Sequence, residues 1–400
     1  MTSQNLENLK LQIVKSLYFL KPQSIAELAS SIGKSVPNIT KAVNNLLQED
    51  LIIDSGLAPS TGGRRAAQFE LNREVHPYLI AVAIDQYKTS ITVFDVHNNQ
   101  LVTPKEIENP LLDSDRAFKN VIDLIEETVN LFLGHSFLGI GITMPGFVEQ
   151  KTGINNSYTS KNPLFKLKDH IQQHFNLPTY IENDSSAIAI AEKKFGKAIQ
   201  SQNALIINLN WGVGLGMIVN NQLFRGHSGY AGEFSHIPLS NNNKLCSCGK
   251  KGCIEVDASL LSAIEFVNEK IKSGEESVLK TLSTSATDSE SLITAVQNGD
   301  QLAISAVQNI AYMLGKGIST LIHIMNPEKI IISGRGADFG NILLLSIQSS
   351  VQEFSIPRLS KNTTIELSTL EHIQLLGSAC VLVEQAKWKT KQLQSTEALT

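Results

Sequence analysis

Apolar residues open the chain at three- and four-residue spacing. Leu6, Leu9, Ile13, Leu17 and Leu20 predict one amphipathic helix that ends near Lys21-Pro22. Ser24-Ile-Ala-Glu27 has the spacing of a capping box, so a second, short helix starts there. Ile32-Gly33-Lys34 reads as a turn, and Ser35 is placed to cap a third helix with an apolar face of Ile39, Val43, Leu46 and Leu47. The other face of that helix is polar, with Asn38, Lys41 and Asn45 flanked by Thr40 and Asn44. Two strand-like runs, from Leu51 to Asp54 and from Ala67 to Leu71, enclose a loop containing Ser60-Thr-Gly-Gly-Arg-Arg65. Helix, helix, helix, strand, loop and strand predict a winged helix-turn-helix over residues 1–75.

From Tyr78 the pattern changes. Tyr78-Leu-Ile-Ala-Val-Ala-Ile-Asp85 is a buried-strand run, followed by a strand over 90–95 and a hairpin turn at Asn98-Asn99. Helical periodicity over 118–132 leads to a strand over 138–143, and an Ala-rich helix over 185–195 follows Asn183-Asp184. Strands over 204–208, 215–219 and 329–333 abut glycine-rich turns. Strands alternating with helices give an α/β class, and in such folds the strand ends are where ligands sit.

Composition narrows the partners. The 400 residues, 42% of them hydrophobic, suffice for two or more domains. No apolar run reaches about 18 residues, and the opening MTSQNLENLK lacks a basic-then-apolar signal, so a cytoplasmic, non-membrane protein is expected. The whole chain carries a formal net charge of -4, yet residues 1–48 hold five lysines against two glutamates. That local excess lies on the module whose third helix offers short hydrogen-bonding side chains, the kind that read base edges or grip phosphates. Ser35, Asn38, Thr40, Lys41 and Asn44, with Arg64 and Arg65 on the wing, are the candidate DNA contacts; a module used only for packing or dimerisation is the plainer alternative. Three of the four cysteines, Cys246, Cys248 and Cys253, crowd into one short segment, which suits metal ligation better than disulfides. Cys380 stands apart in an apolar helix and reads as packing.

Gly226-His-Ser-Gly-Tyr-Ala-Gly-Glu233-Phe-Ser-His236, followed by Cys246-Ser-Cys248-Gly-Lys-Lys-Gly-Cys253-Ile-Glu255-Val-Asp-Ala-Ser259, closely resembles the signature of the ROK family of repressors, open reading frames and kinases. Supporting segments occur in the same order: Gly139-Ile-Gly-Ile-Thr-Met-Pro-Gly146, Glu182-Asn183-Asp184, Trp211-Gly-Val-Gly-Leu-Gly216 and Asn326-Pro-Glu-Lys-Ile-Ile-Ile-Ser-Gly334. The resemblance covers about residues 76–390, and the added winged helix is similar to the family's repressor branch. It implies a two-lobed actin-like, ribonuclease-H-like sugar kinase fold over 76–400. The small lobe takes about 76–180 with a C-terminal helix over 376–400, and the large lobe takes 181–375 with a metal loop over 236–255.

Three thiolates with His236 as fourth ligand suit a closed, tetrahedral, structural Zn²⁺ site, with Gly249 and Gly252 tightening the loop; chance clustering of reduced cysteines is the alternative. The resemblance implies Asn183, Asp184, Glu233, His236 and Glu255 as the sugar-binding set, with His236 facing both metal and sugar. In the family's kinases the residue at the Asp184 position is the general base; a helix N-cap is the local alternative for Asp184.

The phosphate turns depart from the family. Kinases carry Asp-x-Gly-Gly-Thr-Lys after the first strand, whereas this chain reads Asp85-Gln86-Tyr87-Lys88-Thr89, without either glycine. Trp211 precedes Gly212 where a small hydroxyl residue is usual, and Arg335 interrupts Ser333-Gly-Arg-Gly336. ATP and Mg²⁺ binding is therefore not expected. The expectation is a sugar-responsive DNA-binding repressor whose degenerate kinase domain senses a sugar or sugar phosphate and which meets operator DNA as a homodimer or homotetramer. An ATP-dependent kinase of glucose or an N-acetylhexosamine, with an accessory DNA-binding domain, is the alternative.

Overall fold

The computed structural model describes residues 3–59, 65–279 and 289–388. Contacts divide the chain at Glu182/Asn183 and Gly377/Ser378 into two compact units, the first formed by the N-terminal part with the C-terminal end and the second by the segment between. No helix among the described residues is long and apolar enough to cross a membrane.

The first unit begins with three helices, Ser3–Leu20, Ile25–Ile32 and Val36–Gln48, whose buried faces meet through Leu9, Ile13, Leu17, Leu28, Ile39 and Leu46. The first ends where Lys21 turns left-handed ahead of Pro22. The second starts on a complete capping box: Glu27 N–H donates to Ser24 Oγ at 3.3 Å, and Ser24 N–H donates to Glu27 Oε2 at 2.7 Å. Gly33, left-handed at φ +69°, closes that helix. The third helix buries Ile39, Ala42, Val43 and Leu46, while Leu47 is only half-buried. The buried stripe thus follows the i, i+3, i+4, i+7 rows from Ile39, and Leu47 falls on its margin. A three-stranded antiparallel sheet completes the headpiece, with Ala67–Leu71 between Gln23–Ser24 and Ile52–Leu57. The Ile52–Leu57 strand outruns its apolar start because backbone pairing carries it past a bulge at Asp54/Gly56. The wing tip with Arg64, residues 60–64, lies outside the described residues.

The headpiece joins the rest of its unit through a packed junction. Lys15 Nζ donates to the Glu384 carbonyl at 2.5 Å, and Trp388 meets the rings of Tyr18 and His76, with centroids 6.5 and 5.5 Å away. His76 Nε2 lies 2.8 Å from the Leu51 carbonyl and His97 Nε2 2.8 Å from that of Leu71. Burial lowers the His76 pKa, which favours the neutral ring.

Two five-stranded sheets follow, one built on Tyr78–Ile84 and one on Ala204–Leu209. In the first the order is Lys105–Glu108, Lys88–Phe94, Tyr78–Ile84, Phe137–Met144, Thr179–Asn183. In the second it is Gln222–Leu223, Val213–Val219, Ala204–Leu209, Lys329–Ser333, Thr364–Leu367. Each has an antiparallel meander of its first three strands, a fourth strand parallel to the first and a fifth outside it, so one topology occurs twice. Ile80, Val82, Ile140 and Ile142 of the first sheet are buried against Val121 and Ile125 of the helix Ser114–Leu131. Ser378, on the helix Ile373–Gln385, donates to the Val82 carbonyl at 2.8 Å, and Cys380 of that helix is fully buried, consistent with a packing role. In the second unit the 25-residue helix Gln301–Met325 lies close against Asn341–Phe354; a Cβ on Gly315 would stand 2.5 Å from Ser350 Cβ.

Candidate metal centre, carboxylate cluster and nucleic-acid interface

The strand Val213–Val219 and the helix Gln301–Met325 support a segment with little regular structure from Phe224 to Ile254. A Cβ on Gly317 would stand 2.4 Å from Ile254 Cδ1, so the helix is notched to admit Ile254, with Phe234 beside it. These anchors flank the cysteine loop, which closes through the bridges Pro238 to Cys253 and Leu245 to Lys251. Gly249 and Gly252 both sit at φ +81°, which L residues adopt at a cost.

His236, Cys246, Cys248 and Cys253 each bring a ligand atom to within 4.8 Å of the others. Cys248 Sγ and Cys253 Sγ are 3.5 Å apart, and Cys246 Sγ is 3.5 Å from His236 Nδ1. A disulfide is far shorter, about 2.05 Å. A tetrahedral ion with Zn–S bonds of about 2.3 Å spaces its sulfurs by about 3.8 Å, so the donor set fits such an ion. Without one, burial pushes the Cys246 thiol up and the Cys253 thiol up to about 12, while the Lys250 backbone N–H draws Cys248 down. Binding a cation would therefore displace protons from at least two of these sulfurs.

The His236 ring has carboxylates near both nitrogens. Its Nε2 lies 3.6 Å from Glu233 Oε2, and its Nδ1, besides facing Cys246, lies 3.9 Å from Glu255 Oε2. Cys246 Sγ is also 3.3 Å from Glu255 Oε2. Desolvation raises the Glu233 carboxyl, as do the charges of Glu255 and Asp184, against the pull of His236. Its side chain keeps 45% exposure, so solvent screens much of this coupling.

Asp184 opens the helix Asp184–Phe195, but the cap is its neighbour: Ser186 N–H donates to Asn183 Oδ1 at 3.1 Å. Only a side chain outside the first helical turn can reach back to that N–H. The Asp184 carboxylate instead accepts from Ser185 N–H at 2.8 Å and from Asn208 Nδ2 at 3.2 Å. Asp184, Glu233, His236 and Glu255 thus influence one another, whereas Asn183 is partly committed to its own helix. Asn208 carried no motif; its only signal was a polar residue inside the apolar run Ala204-Leu-Ile-Ile-Asn-Leu209.

The glycine-rich turns have packing reasons. A Cβ on Gly214 would stand 1.9 Å from Ser185 Oγ, one on Gly216 2.3 Å from Ala189 Cβ, and one on Gly212 2.6 Å from Glu255 Oε1. Trp211 is buried, and Arg335 lies 3.6 Å from Glu290. At the first turn Asp85 Oδ1 accepts from the backbone N–H groups of Tyr87 and Lys88, each at 2.7 Å.

In the headpiece, Ser35, Asn38, Lys41 and Asn44 are exposed. Ser35 holds the N-cap position without a side-chain cap bond. Half-buried Thr40 donates from its hydroxyl to the Val36 carbonyl at 2.9 Å. Arg65 is exposed, but its guanidinium donates to the carbonyls of Ala58 at 2.7 Å and Leu57 at 3.3 Å, so it also braces the wing. Lys10, counted with the basic excess, is 1% exposed and paired with Glu7 at 3.0 Å and Glu49 at 2.6 Å. Its charge is internal.

Residues 79–386 match the sequence profile of the ROK family. The chain is 28% identical over 382 residues to a xylose repressor of Caldicellulosiruptor bescii, covering 94% of this chain and 95% of that one. Among solved structures it is similar to a ROK family transcriptional regulator described as a homolog of the E. coli MLC protein, with a TM-score of 0.76 at 26% identity over 94% of this chain and 96% of that one. A ROK family glucokinase from Streptomyces griseus, in complex with glucose and AMPPNP, gives a TM-score of 0.67 at 26% identity and covers 77% of this chain and all of its own.

Proposed function

The chain belongs to the ROK family, and from that premise we propose that it is a sugar-responsive transcriptional repressor, with residues 1–75 as DNA-binding headpiece and 76–400 as sensor. One observation carries the reading. The likeness to a regulator and to a xylose repressor spans nearly the whole chain, headpiece included, whereas the glucokinase likeness covers only 77% of it.

In this reading Ser35, Asn38, Thr40, Lys41 and Asn44 enter the major groove, while Arg64 and Arg65 of the wing hold phosphates. Two headpieces on a two-fold axis suit a palindromic operator, so the working form is a homodimer or a pair of them, acting in the cytoplasm where the DNA is. His236, Cys246, Cys248 and Cys253 hold a structural Zn²⁺, which would supply the fixed charge that keeps the three sulfurs as thiolates. Asn183, Asp184, Glu233, His236 and Glu255 bind the hydroxyls of a sugar or sugar phosphate, carboxylates accepting and the amide and imidazole donating. Sugar occupancy then shifts the population of DNA-competent forms. Catalysis is not part of the reading, because Asp85-Gln86-Tyr87-Lys88-Thr89 lacks both glycines of the kinases' phosphate turn.

The test is a selection of genomic fragments by the purified protein, then gel shifts of the selected fragment with D-xylose, D-glucose or N-acetyl-D-glucosamine. The expected result is a retarded band whose midpoint moves with one of them. No retained fragment would remove the headpiece assignment, and sugar-dependent ADP release abolished by Asp184→Asn would make the protein a kinase.

A further inference from the structure

Asn208 lies next to the end of the strand Ala204–Leu209 and is 3% exposed. Its amide nitrogen donates to Asp184 Oδ2 and to Ser185 Oγ, each at 3.2 Å. Ser185 donates to Asp184 Oδ1 from its backbone N–H at 2.8 Å and from its hydroxyl at 3.2 Å. Both carboxylate oxygens therefore have donors supplied by this pair. The amide can stand only one way, since turned end for end it would set its carbonyl oxygen against the carboxylate.

Both donors are walled in. Asn208 Oδ1 is buried without a partner, and a Cβ on Gly334, at φ +77°, would stand 2.5 Å from it. Gly214 closes on Ser185 Oγ in the same manner. A strand position needed only to fill space is better served by leucine, because an unpartnered buried carbonyl is destabilising. What leucine lacks is the donor aimed at Asp184.

We infer that Asn208 is a positioning residue of the carbohydrate site. With Ser185 it fixes the Asp184 carboxylate as an acceptor, so the site selects ligands that present a hydroxyl proton there over their deoxy or O-alkyl counterparts. The inference rests on Asp184 being a sugar contact, as proposed above. It also gives the glycines at 214 and 334 a task independent of nucleotide: they let backbone close on the two donors.

Calorimetric titration with D-xylose, D-glucose and N-acetyl-D-glucosamine, paired with melting temperatures, tests it on the full chain. Asn208→Leu should weaken the best-bound probe by about tenfold with the melting temperature held or raised. Unchanged affinity in Asn208→Leu overturns the inference, and so does a loss that only follows a fall in melting temperature, which would mark a packing residue. Asn208→Asp keeps the shape and gives a second measurement. Its affinity relative to wild type should fall between pH 5 and 8, roughly the range in which a carboxyl crowded against a second one gives up its proton. Glu233, Glu255 and His236 lie beside the same site in both proteins, so the ratio to wild type sets aside what they contribute in common, and a flat ratio overturns the inference. Wild-type affinity in Asp184→Asn, or no binding of any probe to wild type, would instead remove the sugar reading and the inference with it.

Discussion

The helices Val36–Gln48 and Asp184–Phe195 both carry candidate ligand contacts, and they hold them in opposite ways. The first begins at an exposed Ser35 that makes no side-chain cap bond, and its Asn38, Lys41 and Asn44 stand in solvent. The second is capped by Asn183, and the Asp184 carboxylate is bonded by Ser185 and Asn208 before any ligand arrives. A surface that must conform to a long, hydrated polymer can leave its side chains mobile and let phosphates fix the register. A site that tells small polyols apart must set its acceptors in advance, because one misplaced hydroxyl is the whole difference.

The sharpest way to break that contrast is to disrupt the candidate metal centre. Cys253→Ala should abolish metal in native mass spectra and destabilise the second unit by on the order of 4 kcal/mol. Hydrogen exchange should rise in peptides covering 236–259 and stay unchanged over 3–59; a uniform rise would show that the two regions are not stabilised separately. Next in size, Asp184→Asn should cost about 2 kcal/mol of sugar affinity by calorimetry, while DNA affinity without sugar, read by fluorescence anisotropy, is unchanged. On the headpiece side, Asn38→Ala should cost about 1–3 kcal/mol on a preferred operator and relax one base position, whereas Arg65→Ala should weaken all sequences by about 1 kcal/mol. Equal losses on every sequence for Asn38→Ala would deny that helix a reading role.

The smallest effect belongs to the capping box. Glu27→Ala should cost about 0.5 kcal/mol by urea unfolding. The Ser24 N–H holds the Glu27 carboxyl below its ordinary value. A depressed folded-state value means that the contribution is present above the usual carboxylate range and fades as pH falls through the folded value. The difference between wild type and variant should therefore shrink on acidification, and growth instead would contradict the cap.

Local chemistry was the legible part. Ser24 with Glu27, the left-handed Gly33 and the strand Lys329–Ser333 follow from neighbours a few residues away, and the structure has them where the pattern puts them. The four metal-ligand candidates also lie together, since most of the loop between them is short. What failed to show depended on distant partners. Lys10 looks like a surface cation until Glu49 is placed beside it, and Ala42 displaces Leu47 because packing follows the rows from Ile39. Asp184 reads as a cap on paper, and the backbone geometry gives that role to Asn183 instead. Gly214 and Gly216 fit a phosphate turn and a close helix contact alike until Ser185 and Ala189 are seen beneath them.

The burial of Lys10 alters how many ions the operator should shed. Of the five lysines in residues 1–48, Lys10 is enclosed and Lys15 is engaged with Glu384, which leaves Lys21, Lys34 and Lys41 facing water. Each phosphate neutralised releases condensed counterions and steepens the logarithmic decline of affinity with salt by about 0.9. In a DNA complex of the proposed kind, these three lysines would add three such steps per headpiece.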